Sequence, residues 1–482
     1  MTQSDATPSP RKAAMIAWMD RIAGKRESWL RRNGYFHAEH QRYLQFLIPK
    51  GARVLDLGCG TGHLLAALEP SDGVGVDFSA KMIEIARENF PNHTFEIGDA
   101  EDPDTIAKLE GTFDVIVVSD TIGYFDDCEL ALRNLHRLCT PDTRIIIAYY
   151  SRYWEPVLRL AEIFGLKMRQ PALNWLSTGD IGNLLHLADF DIIKRDWRQL
   201  VPRRLFGLGS LINRFIGTLP GLRRLSLRNY LVARPFPKVA DEGLSVTVLV
   251  PCRNERGNIE AAITRMPRFA DDMEILFVEG NSSDGTFEEC ERVRDAYAGE
   301  WDIKAVRQEG KGKGDAVRKG FDLARGDVLM ILDSDLTMPP EDLPKFYAAL
   351  SAGKGEFVNG SRLVYPMERE AMRFLNWVAN QIFSVLFSWL LNQRFTDTLC
   401  GTKVLRKRHY ERIAANRSYF GDFDPFGDFD LIFGATKLNL KVTEVPIRYA
   451  SRTYGETQIS RFAHGWLLVR MVFFAFFRLK AF

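Results

Sequence analysis

The sequence predicts two α/β domains in tandem, each built on a doubly wound sheet with helices on both faces. Three observations carry that expectation. Strand-like apolar runs alternate with helical ones twice over along the 482 residues. Each half has its own ligand-type signature at the end of a strand, at 54–62 in the first and at Asp333-Ser334-Asp335 in the second. Between them, Pro235-Phe236-Pro237 runs through polar residues to Gly243, which is linker chemistry. The boundaries follow as 1–235, a linker at 236–243, and 244–482.

In chain order, residues 11–50 read as a helical lead-in, with aromatic and basic side chains interleaved up to Pro49. Strands are expected at 53–57, 73–77, 94–98, 114–119 and 144–149, which alternate with helices and so predict a parallel sheet. A less regular stretch from Ser151 leads to a last strand at 229–234. The second domain opens with a strand at 245–250 and continues with 274–279, 303–308, 328–333 and 356–359, helices between them. The halves share an architecture but no visible sequence repeat.

Composition sets the outer bounds. Hydrophobic residues make up 46% and charged residues 26%, the balance of a globular protein. A net charge of +2 supplies no field for nucleic acid. Six cysteines are scattered without CxxC pairs, which argues against a disulfide framework and for a reducing cytoplasm. Residues 1–10 lack the apolar core of a secretory signal. No stretch reads as a membrane span: 374–391 contains Asn376, Asn380 and Gln381, and 466–482 is broken by Arg470 and Arg478. Both read as interfacial or buried helices. Arg203-Arg204 and Arg223-Arg224 flank a further apolar stretch. Apolar bodies with basic flanks suit an anionic membrane surface, so peripheral attachment on the inner face of the membrane is expected, with core packing as the alternative.

The chemistry of the first half starts at Asp56-Leu57-Gly58-Cys59-Gly60-Thr61-Gly62. A turn between strand and helix needs glycines where the backbone must approach a ligand. A dinucleotide fingerprint would place its third glycine at 63, where this chain has His63. Asp77 ends the next strand, where a carboxylate can accept both ribose hydroxyls, and Asp99 ends the third, where it can receive an adenine amine. On these residues the chain resembles class I S-adenosylmethionine-dependent methyltransferases over about residues 40–235. The resemblance implies that Gly58, Gly60 and Gly62 wrap S-adenosyl-L-methionine, that Asp77 holds its ribose and that Asp99 faces adenine. Asp56 would lie near the methionine amino group, and 113–120 would border the active centre. The donor is already activated, so alignment suffices and no base is assigned. His37, His40 and Tyr43 can cap the acceptor side; plain packing is the competing account of each.

In the second half, a DxD motif closing a buried strand offers two carboxylates that can hold Mg²⁺ or Mn²⁺ against a diphosphate. It stands with Pro251-Cys252-Arg253-Asn254-Glu255, with 279–286, with Gly312-Lys313-Gly314-Asp315 and with Asn359-Gly360-Ser361-Arg362. Together these resemble family-2 glycosyltransferases of the GT-A fold over 244–482, and most nearly the polyprenyl- or dolichyl-phosphate sugar synthases. The resemblance implies that Pro251, Asn254, Glu255, Glu279 and Asp284 touch the nucleoside of a nucleotide-sugar. Asp333 and Asp335 would hold metal and diphosphate, and Arg362 and Arg452 would neutralise phosphate charge. Thr396–Lys403 and the loop 445–458 match further family stretches. Two departures stand out: Glu279 replaces the usual Asp, and Gln458 replaces a lysine of the lipid-phosphate enzymes. A phosphate acceptor needs no base. A hydroxyl acceptor does, and Asp428 and Asp430 are then the candidates, unless they cap a helix.

The favoured reading is a bifunctional transferase: a methyltransferase acting on an unidentified acceptor, fused to a glycosyltransferase acting on a polyprenyl-phosphate-type acceptor. The alternative has the second half glycosylating a hydroxyl of a glycan or lipid, with the first half a recruitment module.

Overall fold

The computed structural model describes residues 8–171, 173–237, 243–364, 374–419, 427–450, 452, 454 and 461–482, without the side chains of 374–379 and 461–465. Linker residues 238–242 and Gln458 lie outside the described residues. The chain divides into two compact units, the first ending at Phe236 and the second running Pro237–Lys480.

The first unit begins with two helices, Pro10–Arg32 and Gly34–Leu47. Ser9 caps the first through Lys12 N at 3.0 Å, and Pro10 sits at the first helical position, where its missing N–H costs nothing. Seven strands follow: β1 (Arg53–Leu57), β2 (Asp72–Asp77), β3 (Thr94–Ile97), β4 (Phe113–Ser119), β5 (Cys139–Tyr150), β6 (Phe190–Arg198) and β7 (Arg228–Pro235). Their order is β3-β2-β1-β4-β5-β7-β6. Strands β1 to β5 pair parallel, as the alternation predicts. β7 inserts antiparallel between β5 and β6, which corrects the purely parallel expectation. β6 was not foreseen. Its charges at Lys194, Arg195 and Asp196 hide an edge strand half-buried against helix Thr178–Leu187.

The second unit contains β8 (Val246–Cys252), β9 (Met273–Glu279), β10 (Asp302–Arg307), β11 (Val328–Ile331), β12 (Phe357–Ser361), β13 (Lys403–Arg406) and β14 (Val442–Pro446). The order is β10-β9-β8-β11-β13-β12-β14. β13, also unforeseen, lies antiparallel between β11 and β12, and β14 pairs parallel with β12. The central strands β8, β9 and β11 are buried on both faces, which is why they read as near-continuous apolar runs.

In each sheet the strand order reverses beside the first strand of the unit, at β1/β4 and at β8/β11. Such switch points open a crevice beyond the carboxyl ends of the strands. The Gly-rich loop follows β1 and Asp120 follows β4. In the second unit, 253–255 follow β8 and Asp333-Ser334-Asp335 follow β11. Among the described residues no helix is long and apolar enough to cross a membrane.

Candidate active sites

In the first unit the crevice is a cavity of about 310 Å³. Gly58, Gly60 and Asp77 form its floor, and Trp18, Arg26 and Trp29 of the helix Pro10–Arg32 form one wall. The glycines take left-handed backbone conformations, with φ of 76°, 53° and 80° at Gly58, Gly60 and Gly62. Space reinforces the need: a Cβ on Gly58 would stand 2.1 Å from Thr121 Oγ1, and one on Gly62 2.8 Å from the Phe95 ring. Asp77 accepts Gly60 N and Ser79 N, each at 2.9 Å, which ties the loop to the end of β2. Burial raises the Asp77 pKa, and those two backbone donors oppose the rise.

Asp56 is buried, and its Oδ2 has no hydrogen-bond partner among the described residues. Burial, and then the neighbouring Asp77 charge, push its pKa to about 7. An orphaned acceptor beside a glycine cradle fits a ligand that brings a cationic donor. Asp99 is placed differently from the rest: its Oδ2 holds Lys12 Nζ at 2.5 Å, and Lys12 also pairs with Glu101.

The acceptor end is aromatic. Arg228 forms a two-pronged pair with Asp120 at 2.8 and 2.7 Å and lies over the rings of Phe36 and Tyr150. Asp120 has φ 58°, an uncommon conformation for a residue other than glycine. His37 lines the cavity; burial, with help from Arg228 and Arg26, lowers its pKa to about 3 and keeps the imidazole neutral. His40 bridges Ser119 Oγ and Tyr230 Oη at 2.8 Å each, and Tyr43 bonds Asp196 at 2.7 Å. These last two are satisfied inside the fold and do not line the cavity.

In the second unit the carboxylates after β11 meet cations. Asp333 pairs with Lys313 Nζ at 2.6 Å, and a Cβ on Gly401 would fall 1.8 Å from Asp333 Oδ2, so only glycine passes there. Burial pushes the Asp333 pKa up, but Lys313, together with Lys403 and Arg362, more than offsets it and holds the carboxyl below its usual range. Asp335 accepts Thr337 N and Oγ1 at 3.1 and 2.8 Å on one oxygen and Arg452 at 2.8 Å on the other. Arg452 also reaches Glu255 at 2.8 Å, joining the loop after β8 to the DxD. Two hard carboxylates on one loop, each able to exchange an ammonium or guanidinium for a divalent cation, are a donor set that suits Mg²⁺ or Mn²⁺.

Asp428 lies between Lys313 and Lys403, at 3.8 and 3.7 Å, and burial raises its pKa against both lysines. It occupies the N-cap position of helix Phe429–Lys437 yet makes no side-chain cap bond, so capping does not account for it. Asp430 points elsewhere, to Arg417 at 2.9 Å and towards Arg318 at 3.5 Å. Arg362 is clasped by Asp397 at 2.6 and 2.8 Å.

The nucleoside-side residues gather at the ends of β8 and β9. Pro251 lies in β8. Asn254, at φ 54°, accepts Ser283 N at 3.0 Å; Glu279 accepts Ser282 N at 2.5 Å; Asp284 accepts Thr286 N at 3.1 Å. Sequence reasoning assigned no role to Arg26, Lys12 or Arg228, and it placed Asp120, Lys313, Asp397 and Lys403 within motif stretches without giving any of them an individual role. Lys313 left a further signal: a lysine opening a helix (Lys313–Leu323) opposes the helix dipole, which a nearby anion offsets. Arg26, Lys12 and Arg228 arrive from distant segments and left none.

Residues 28–195 match the family model described as "Methyltransferase domain", and residues 247–414 match "Glycosyl transferase family 2". The second half is similar to the dolichol-phosphate mannosyltransferase of Pyrococcus furiosus, 29% identical over 221 residues, which are 45% of this chain and 59% of the relative. The Saccharomyces cerevisiae protein of the same name is 37% identical over 113 residues, 22% of this chain and 41% of the relative. The chain thus spans about half the length of these curated relatives. Among solved structures, a SAM-dependent methyltransferase from Thermotoga maritima superposes with a TM-score of 0.36 at 19% identity, covering 46% of this chain and 99% of that one.

Proposed function

Since the chain joins a methyltransferase domain to a family-2 glycosyltransferase domain, we propose a bifunctional transferase that uses S-adenosyl-L-methionine in the first unit and a nucleotide-sugar in the second. The observation that carries the reading is the siting of both motif sets at the switch points of separate sheets, each with its own charge partners.

In the first unit, Asp77 binds the ribose hydroxyls with the lone pairs left free by Gly60 and Ser79. Asp56 receives the donor's amino group. Arg26, whose guanidinium lies 3.1 Å from where a Gly60 Cβ would stand, faces the donor's carboxylate. Asp99 serves adenine only by sharing its carboxylate with Lys12. When bound, S-adenosyl-L-methionine would supply an electrophilic methyl group with a neutral thioether as its leaving group, and Asp56, Asp77 and Arg26 would hold it. The aromatic wall and neutral His37 exclude water and orient the acceptor.

In the second unit, Asn254, Glu255, Glu279 and Asp284 shape the nucleoside pocket beside Pro251. Asp333 and Asp335 would hold the divalent metal, which neutralises diphosphate charge when bound. Lys313, Arg362 and Arg452 stabilise the charge that grows on the leaving nucleotide. The similarity to dolichol-phosphate mannosyltransferases supports a polyprenyl phosphate as acceptor, attacking through its own anionic oxygen. Should a hydroxyl attack instead, Asp428 is the base: it adjoins the Asp333 cluster and burial raises its pKa, whereas Asp430 is engaged by arginines.

Peripheral membrane attachment, on the inner face, fits the helices Phe374–Leu391 and Arg461–Leu479. These pack together and leave Ile382, Val385, Trp466, Phe473 and Phe477 exposed. The deciding experiment is a transfer screen with GDP-, UDP- and dTDP-sugars, Mg²⁺ or Mn²⁺, with and without polyprenyl phosphate. Sugar in the lipid phase is the expected result; transfer to a soluble polyol alone would replace the lipid acceptor.

A further inference from the structure

The methyl-donor cavity opens on an unusual surface. Its mouth is rimmed by Val157 and Leu166, both exposed, and by exposed Arg203. On one side of the mouth stands helix Glu155–Ile163. Leu158 and Ala161 face the cavity, while Val157, Leu160, Ile163 and the adjoining Phe164 form an exposed apolar stripe. On the other side, the stretch 205–225 exposes Leu205, Phe206, Leu208, Leu211, Phe215 and Ile216. Trp154 Nε1 donates to Leu225 O at 2.7 Å and fastens the two sides together. So many exposed large apolar side chains on two segments joined at the cavity mouth mark an interaction surface.

Charge identifies the occupant. From Leu200 to Pro235 the chain has no Asp or Glu and seven arginines: 203, 204, 214, 223, 224, 228 and 234. Arg228 and Arg234 are buried, whereas Arg203, Arg204, Arg214 and Arg224 are exposed around the apolar residues. The acids of the neighbouring helix are neutralised locally, Glu155 by Arg159 and Glu162 by Lys167. The backbone adds a sign of purpose. Leu205 and Phe206 take left-handed φ of 46° and 54°, costly for large side chains, and that turn holds the Phe206 ring wholly in solvent. Large apolar side chains ringed by arginines, without acids, match the headgroup–acyl boundary of an anionic bilayer.

We propose that this face of the methyltransferase unit lies on an anionic lipid surface, so that its cavity opens onto the headgroups and the methyl acceptor is carried on a lipid. The acceptor assignment rests on the methyl-transfer reading above; the docking surface does not.

The test uses the full chain. Phe206→Cys, labelled with an environment-sensitive fluorophore, is expected to shift its emission to the blue on vesicles of phosphatidylcholine with about a third phosphatidylglycerol, and not on phosphatidylcholine alone. All six native cysteines are less accessible than this position. Unchanged emission on anionic vesicles overturns the docking surface. Combined Arg204→Glu, Arg214→Glu and Arg224→Glu is expected to lower the shift at least fivefold, with S-adenosylmethionine affinity by calorimetry unaltered. A vesicle response indifferent to those charges overturns it too, as does a concentration-dependent dimer, formed without vesicles and lost in the same variant. Wild-type protein given a methyl-tritiated donor and membranes of the source cells should place label in the chloroform phase. Label confined to the aqueous phase, or absent while the donor binds, overturns the lipid-borne acceptor. Failure of the donor to bind sinks the methyl-transfer reading and leaves docking to the fluorophore result.

Discussion

At the scale of single residues, the two aspartates flanking the Gly-rich loop make opposite demands. Asp77 is stabilised by two backbone amides and has lone pairs to spare. Asp77→Ala should weaken S-adenosylmethionine binding roughly 100-fold or more, at about 1.5–3 kcal/mol per charged hydrogen bond; calorimetry showing unchanged affinity removes the ribose assignment. Asp56 is buried, with no partner for Oδ2 among the described residues, and its pKa rises from the usual 3.8 to about 7. The native state therefore keeps a proton that the unfolded chain has released. Stability conferred at low pH falls as pH climbs from about 4 to about 7, by roughly 4 kcal/mol for that gap. Asp56→Asn should remove this slope, so that variant and wild type diverge towards neutral pH in thermal melts; parallel pH profiles would refute the raised pKa. Both residues were legible in the sequence because the loop motif is local. Lys12 and Arg26 were not, because nothing within the helix Pro10–Arg32 signals that it will close over residues 60 and 99.

At the scale of elements, an ion pair joins the end of β12 to the stretch that precedes β13. Asp397 is buried and Arg362 is partly buried beside it, and Asp397 also accepts Arg362 N at 3.1 Å and Leu399 N at 3.1 Å. The guanidinium lowers the Asp397 pKa despite burial. Asp397→Asn strands a partly buried cation and should destabilise the second unit by about 3–5 kcal/mol, while adding Arg362→Met should recover much of that loss. Denaturation that finds both variants equally unstable would show that the pair is not the source. The strands missed by sequence reading share a physical cause. β13 has four residues, β14 ends in Pro446 and β6 carries three consecutive charges, so each depends on its neighbours for definition. The long, twice-buried strands β4, β8 and β9 announce themselves through composition alone.

At the scale of the whole molecule, each unit has its own core and its own charge cluster. Damage to one chemistry should therefore spare the other. Asp335→Asn removes a hard-oxygen ligand and one partner of Arg452, and should lower sugar transfer at least 100-fold while donor binding in the first unit keeps its wild-type affinity. A metal-independent, fully active variant would remove the DxD from the mechanism. A different kind of consequence follows from the helix Pro10–Arg32. Its start is pinned by Lys12 to Asp99 and Glu101, and its body walls the cavity through Trp18, Arg26 and Trp29. The mouth beside helix Glu155–Ile163 serves the acceptor, and the cofactor is expected to enter past this wall, so that occupancy becomes a matter of time. Entry is then gated by the opening of a latch rather than by diffusion, and the observed rate of association should level off as donor concentration rises. Lys12→Met, by freeing the latch, should lift that plateau in stopped-flow measurements; a rate that stays linear in concentration would mean that the door already stands open.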